Sequence, residues 1–290
     1  MMVALGTLCA ARELTEKNWD SRISEILGAF LKNAPLPFSL LEQLSRLRWV
    51  RKVLESAMSF VIPGMFSHYA ARKMYIENYV RAEIAKGCKQ LVVIGGGLDT
   101  LTFRVKEDFP EVYCIEIDHP STHSLKIQAV NVAGRQLPEV GLVAANLSCQ
   151  KVSEVLKQSN HQAENTTVFV VEGVLMYLTE SNVRSTLSDL RSLCTADSSL
   201  IITCMITEES GQPAFANSKN HFVTRWLKGN HEPFLWGLDK DNVKNFFNSI
   251  QFEVEKFSEK AELQLLTSAL PSWFKAPAEG EFVVSLRKSL

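Results

Sequence analysis

Two patterns of apolar and polar positions divide the chain. Over residues 13–86 the apolar positions recur every three or four residues, the spacing of one helix face. Ile23, Ile26, Leu27, Phe30 and Leu31 follow it up to a stop at Asn33-Ala-Pro-Leu-Pro37. A second helix is expected from Ser39 as N-cap, carrying Leu40, Leu44, Leu47, Val50, Val53 and Leu54 towards Ile62-Pro-Gly64. A third is expected from Ser67 to Lys86, closed by Lys86-Gly87. From residue 88 the pattern changes to short apolar runs at 91–94, 112–117, 140–145, 167–171, 200–205, 252–257 and 282–286, with helical spacing at 153–158 and 179–193. Such alternation predicts an α/β, doubly wound, mainly parallel sheet, here with an antiparallel final pair. The pattern breaks down at 208–238, where Gly211, Pro213, Gly229 and Pro233 mix with Trp226 and Trp236. That stretch is either a substrate lid or a packing layer. The expected division is an N-terminal helical cap region at 1–86 and a core at 87–290, with the insertion around 208–238.

The run at 91–94 leads straight into Gly95, Gly96 and Gly97, then Leu98, Asp99 and Thr100. Strand, glycine turn and helix together hold a nucleotide-like ligand at the carboxyl edge of an open sheet. Later runs bring Glu116 and Asp118, then Asn146, then Glu172 to the same edge. Asp118 lies 21 residues beyond Gly97, near the roughly 20-residue offset at which a carboxylate reaches ribose hydroxyls. Its other reading is a helix N-cap before Pro120. A dinucleotide fingerprint would place a third glycine where this chain has Thr100. Asp99 adds a negative charge at the helix start, which suits a zwitterionic or cationic ligand better than a pyrophosphate. The pattern therefore points away from NAD and towards S-adenosylmethionine. It is no P-loop either, since no Gly-Lys-Ser/Thr follows. Glu172 sits in the apolar run Val168-Phe-Val-Val-Glu-Gly-Val and needs a partner, either the ligand, an N-terminal arginine, or both.

Composition narrows the setting. The 290 residues carry a formal charge of -1, which argues against a general nucleic-acid or membrane surface. The basic residues Arg46, Arg48, Arg51 and Lys52 share their segment with Glu42 and Glu55 and are expected on a solvated helix face. Six scattered cysteines without a Cys-x-x-Cys pair read as reduced, mostly buried thiols, with no zinc site. Met1 to Ala11 is apolar but lacks a preceding basic residue, a poor signal peptide. No run reaches the roughly 18 apolar residues of a membrane span. The expectation is a soluble, cytoplasmic protein without metal, membrane or nucleic-acid partner.

Three motifs together, Gly95-Gly-Gly-Leu-Asp-Thr100 with Phe103-Arg104, Glu116-Ile-Asp-His-Pro120 and Glu172-Gly-Val-Leu-Met-Tyr-Leu178, resemble the leucine carboxyl methyltransferase family. The resemblance covers about Phe66 to Leu193. It implies a Rossmann-like class I methyltransferase fold with a seven-stranded sheet, extra N-terminal helices as a cap, and S-adenosylmethionine as cofactor. Known members esterify the C-terminal leucine carboxylate of a protein phosphatase, and relatives act on a modified tRNA base. By position, Gly95 and Gly97 would cradle the cofactor, Asp118 would bind its ribose, and Arg72 would hold the methionine carboxylate. Glu172 would approach the methionine end, and Asn146 with Leu147 would meet adenine. Asn146 stands where the family has Asp. Gly96 stands where it usually has Ala, a change expected only to loosen the turn.

A carboxylate acceptor is already ionised at neutral pH and needs no general base, whereas a hydroxyl would need one, and His119 is the nearest histidine. The leading expectation is an S-adenosylmethionine-dependent O-methyltransferase acting on a carboxylate of a small molecule or protein C-terminus. The alternative is a cofactor-binding interaction or regulatory protein without transferase activity. An NAD-dependent oxidoreductase fits least, because of Asp99 and the missing glycine.

Overall fold

The computed structural model describes residues 1–131, 136–207, 211–216, 218, 225, 229 and 233–289. All seven expected strands form: β1 (Gln90–Ile94), β2 (Tyr113–Asp118), β3 (Gly141–Ala144), β4 (Thr167–Val171), β5 (Ser199–Met205), β6 (Phe252–Phe257) and β7 (Glu281–Lys288). They make one sheet in the order β3-β2-β1-β4-β5-β7-β6. β7 runs antiparallel between β5 and β6, and the remaining pairs are parallel. The central strand β1 is unbroken in its apolar character because both faces are covered. Val92 and Ile94 pack with Phe169, Val171 and Ile202 on one side. Leu91 and Val93 pack with Val168, Val170 and Ile201 on the other.

Helices cover both faces. α5 (Met65–Ala85) precedes β1 and lays Tyr75, Ile76 and Val80 against the second of these cores. Gly87, at φ 105°, turns the chain from α5 towards β1. α6 (Leu101–Asp108), α7 (Pro120–Asn131), α8 (Val152–Lys157), α9 (Glu180–Leu193), α10 (Val243–Ser249) and α11 (Lys260–Leu266) follow. α9 is capped by Thr179, whose side chain accepts the Asn182 N–H at 3.3 Å.

The N-terminal region departs from expectation in three places. Met2–Ala11 is a helix, α1, and Ala4 through Ala10 are buried. It has no polar face because it is a core element rather than an amphipathic surface helix. With α2 (Arg22–Lys32) it builds a further core in which Leu5, Leu8, Ile26 and Phe30 meet Phe66 and Phe103. The second expected helix is two, α3 (Phe38–Leu44) and α4 (Arg48–Val61), and Ser39 lies inside α3 rather than capping it. Arg51 holds the break: its Nη1 donates to the carbonyls of Ser45 at 2.7 Å and Arg46 at 3.0 Å. Its Nε donates to Glu13 at 2.7 Å.

The expected solvated face is also corrected. Glu42 and Glu55 are buried, Glu42 against Arg12 at 2.6 Å and Glu55 against the Ser59 hydroxyl at 2.6 Å. Arg46, Arg48 and Lys52 remain outside, beside the exposed Leu40, Leu44, Leu47, Trp49 and Val53. All six cysteines are free thiols, and Cys149 alone is exposed. Much of the 208–238 insertion lies outside the described residues; of its described parts, Phe215, Trp236 and Leu238 are buried.

Candidate cofactor site

The site begins where β1 ends. Gly95 takes φ 73° and donates its N–H to the Ile117 carbonyl at 2.8 Å, tying the turn to β2. A Cβ there would lie 2.1 Å from Val174 Cγ2. Gly96 is required for a different reason. Its Cβ would fall 2.0 Å from Glu116 Oε1 and 2.6 Å from Glu116 Cγ. Glu116 is buried and held by Lys126 and by the Thr102 hydroxyl at 2.7 Å, so it has little room to yield. The expectation that glycine here merely loosens the turn is therefore corrected. Gly97, at φ 55°, has only open space where its Cβ would stand. Its N–H donates to Asp118 Oδ2 at 2.5 Å.

All eight residues expected at the site, Arg72, Gly95, Gly97, Asp99, Asp118, Asn146, Leu147 and Glu172, line one open cavity of about 390 Å³. That is near the lower end of the roughly 300–1,000 Å³ of ligand cavities. Parallel strands β1, β2, β3 and β4 place their carboxyl ends side by side, which is why residues so distant in sequence converge. The carboxylate of Asp118 accepts from Gly97 and, through Oδ1, from the His119 N–H at 2.6 Å. Neither bond goes to the N–H groups of α7, so the helix-cap reading of Asp118 is set aside. Burial pushes its carboxyl above the usual range, and the two N–H groups only partly offset this. Asn146 shapes the turn after β3. Its Oδ1 accepts the Ser148 N–H at 3.0 Å, and its own N–H donates to Gln150 at 2.8 Å.

At the other end of the cavity the charges are dense and internally paired. Arg72 donates from Nε to Glu172 at 2.9 Å and from Nη1 to Glu281 at 2.5 Å. Glu281 also meets His68 Nε2 at 2.7 Å. Lys73 spans Asp99 at 2.8 Å and Glu172 at 3.1 Å. Asp99 further accepts the N–H groups of Thr100 at 2.5 Å and Leu101 at 3.2 Å, where α6 begins. The negative charge read as favouring a cationic ligand is thus already balanced within the protein.

Burial alone would raise the carboxyl of Asp99, but Lys73 beside it holds it well below the usual range. Glu281 is likewise opposed by burial, yet Arg72 and His68 hold it at about 2. Burial would lower Lys73, and Asp99 with Glu172 raise it instead.

Sequence reasoning missed Lys73, Glu281, His68 and Lys126. Lys73 had a signal in directly following Arg72 on a buried helix. Glu281, a lone acid opening the apolar run at 282–286, had one too. It also missed the wall that α1 and α2 contribute through Met1, Val3, Ala4 and Leu27.

The sequence pattern of leucine carboxyl methyltransferases matches residues 13–191. Among curated proteins, the "Putative S-adenosyl-L-methionine-dependent methyltransferase YktD" of Bacillus subtilis is 32% identical over 132 residues, 45% of this chain and 43% of that protein. A protein of the same designation from Mycolicibacterium vanbaalenii is 27% identical over 148 residues, 51% of this chain and 50% of its own. The chain thus spans about half the length of these curated relatives. Among solved structures, a "putative methyltransferase" from Thermobifida fusca superposes with a TM-score of 0.59 at 13% identity, covering 92% of this chain and 94% of its own. A DUF574 family protein from Streptomyces avermitilis gives 0.57 at 14% identity, with 82% and 90% covered. Both likenesses agree with the Rossmann-like class I methyltransferase fold seen in the sheet order. The pattern extends over more than half of the chain and includes the glycine turn, Asp118 and Glu172, and on that ground the chain belongs to the leucine carboxyl methyltransferase family.

Proposed function

We propose that the chain binds S-adenosylmethionine in the cavity at the carboxyl edge of β1, β2, β3 and β4 and transfers its methyl group to a carboxylate. The observation that carries the reading is the coupling of glycine turn and acid. Gly97 presents open space to the cavity while its N–H fixes the Asp118 carboxylate beside it. The residues present fit the cofactor in kind. Asp118 would accept from ribose hydroxyls, Asn146 and Leu147 would flank adenine, and the charges of Arg72, Lys73 and Glu172 would face the amino-acid tail. When bound, S-adenosylmethionine supplies a methyl on a sulfonium, a good leaving group.

What the chain contributes is placement. The strand ends and the glycine turn would hold the donor for an incoming oxygen, and such positioning removes much of a displacement's barrier. A carboxylate acceptor would be ionised already and would need no proton removed, so no residue of the chain would have to serve as a base. The family's own description supports this acceptor. We assign residues 1–86 to a cap over the 87–290 core, supported by Met1, Val3, Ala4 and Leu27 in the cavity wall.

Calorimetric titration with S-adenosylhomocysteine tests the site. Binding by the wild type that weakens about tenfold or more in Asp118→Ala supports it, and no binding by folded wild type overturns it. For the acceptor, incubation with labelled donor should yield a base-labile ester on an acid or protein C-terminus. Label that resists base would point to another acceptor atom.

A further inference from the structure

We propose that the outward face of α3 and α4 docks onto the surface of an anionic phospholipid bilayer. The inference is independent of what the cofactor cavity holds.

α4 reverses the arrangement of an ordinary surface helix, whose apolar stripe faces the core. Its buried positions include Arg51, Glu55 and Ser59 beside Val50. Its outward positions include Trp49 and Val53, 65% and 57% exposed. Polar contacts hold the helix in this rotation. Arg51 bonds the carbonyls of Ser45 and Arg46 as well as Glu13, and Glu55 accepts the Ser59 hydroxyl. Ser59 in turn accepts the Gly64 N–H at 3.3 Å. Rolling Trp49 and Val53 inwards would break these bonds, so their exposure is fixed by the fold. α3 continues the face. Leu40 and Leu44 lie one helical turn apart and are exposed, and Leu47 at the junction is 48% exposed. Large apolar side chains grouped in this way mark a surface that binds something.

Charge identifies the partner. Every exposed charged residue between positions 32 and 61 is basic: Lys32, Arg46, Arg48 and Lys52. The two acids of that stretch, Glu42 and Glu55, are buried. Arg46 reaches Glu42 at 3.4 Å and Arg48 reaches Glu13 at 3.2 Å, while their own side chains stay 64% and 68% exposed. Tryptophan and aliphatic side chains flanked by Arg and Lys match a helix lying in a bilayer interface, apolar groups among the acyl chains and cations among the phosphates. A second copy of the chain fits poorly, because a twofold contact would set these cations against their own counterparts. A partner helix would need a groove, and α3 and α4 do not pack side by side to form one. The formal charge of -1 averages over all faces and does not describe this one.

The test is sedimentation of the full chain with vesicles of phosphatidylcholine, alone or with about one third phosphatidylglycerol. Wild type should bind the anionic vesicles about tenfold or more strongly than the neutral ones, and rising salt should erase the difference. Trp49→Gln with Val53→Gln should weaken binding to the anionic vesicles about tenfold or more. Arg46→Gln with Lys52→Gln should do the same while sparing the weak binding to neutral vesicles. Leu40→Gln with Leu47→Gln replaces the first pair if thermal unfolding shows that protein not to be folded. Equal binding of wild type to the two vesicle types, or binding that either pair leaves unchanged, overturns the proposal. So does folded wild type that binds neither. In that case a dimer in gel filtration that the first pair dissociates gives the face to a second copy, and a monomer leaves it to an acidic protein partner.

Discussion

At the scale of single residues, neighbouring glycines in one turn do different work. Gly96 is closed in by Glu116, and Gly97 opens on the cavity. Gly96→Ala is therefore expected to cost about 1–3 kcal/mol of stability, as overpacking of a filled site does. Denaturant unfolding would show it as a lower midpoint at unchanged slope. Gly97→Ala should cost less, about 1–2 kcal/mol from its left-handed backbone, but should impair binding of S-adenosylhomocysteine by filling the cradle. Titration of the two variants side by side separates the roles. A Gly97→Ala protein that binds like wild type would show that the ligand does not approach this backbone.

At the scale of elements, the N-terminal helices depend on one buried arginine. Arg51 joins the α3–α4 junction to Glu13, which follows α1, satisfying two carbonyls and a largely buried carboxylate at once. Arg51→Met keeps the packing of the stem but leaves those acceptors unpaired, and should destabilise the protein by about 3 kcal/mol. Urea unfolding followed by circular dichroism measures the loss. A change below about 0.5 kcal/mol would mean that Arg48, which reaches Glu13 at 3.2 Å, can take over. The break between α3 and α4 follows from these contacts rather than from local helix propensity, which would have allowed one helix.

At the scale of the whole molecule, β7 links the far edge of the sheet to the cavity by placing Glu281 against Arg72 and His68. The carboxyl of Glu281 is held at about 2, below its ordinary 4.5. A depressed folded value means stability that is fully present above about 4.5 and is lost as pH falls towards 2. Asp99 acts in the same direction. Asp118 and Glu116, pushed up by burial, act oppositely, their contribution being lost as pH rises through their raised values. Thermal unfolding at pH 5 and pH 3 should therefore show a smaller drop in Glu281→Gln than in wild type, together with lower stability of the variant at pH 7. An identical drop in both proteins would show that Glu281 contributes nothing to acid lability.

Local chemistry in the chain was enough to define the seven strands, the turn after β1 and the row of polar residues at the strand ends. Those features depend on runs of apolar residues and on glycines, which act over a few neighbours. Gly95, Gly97, Asp118, Asn146 and Glu172 could be placed at one edge because parallel strands align their carboxyl ends whatever lies between them. What only the tertiary structure decided depends on partners far apart in the chain. Arg72 and Glu281 are 209 residues apart, and Lys73 and Glu172 are 99 apart. No local pattern marks such pairs, since a charge shows its partner only after folding has removed it from water. The same holds for α1, whose apolar decapeptide becomes a buried helix only because α2 and α5 cover it, and for Gly96, which is required only once Glu116 stands beside it.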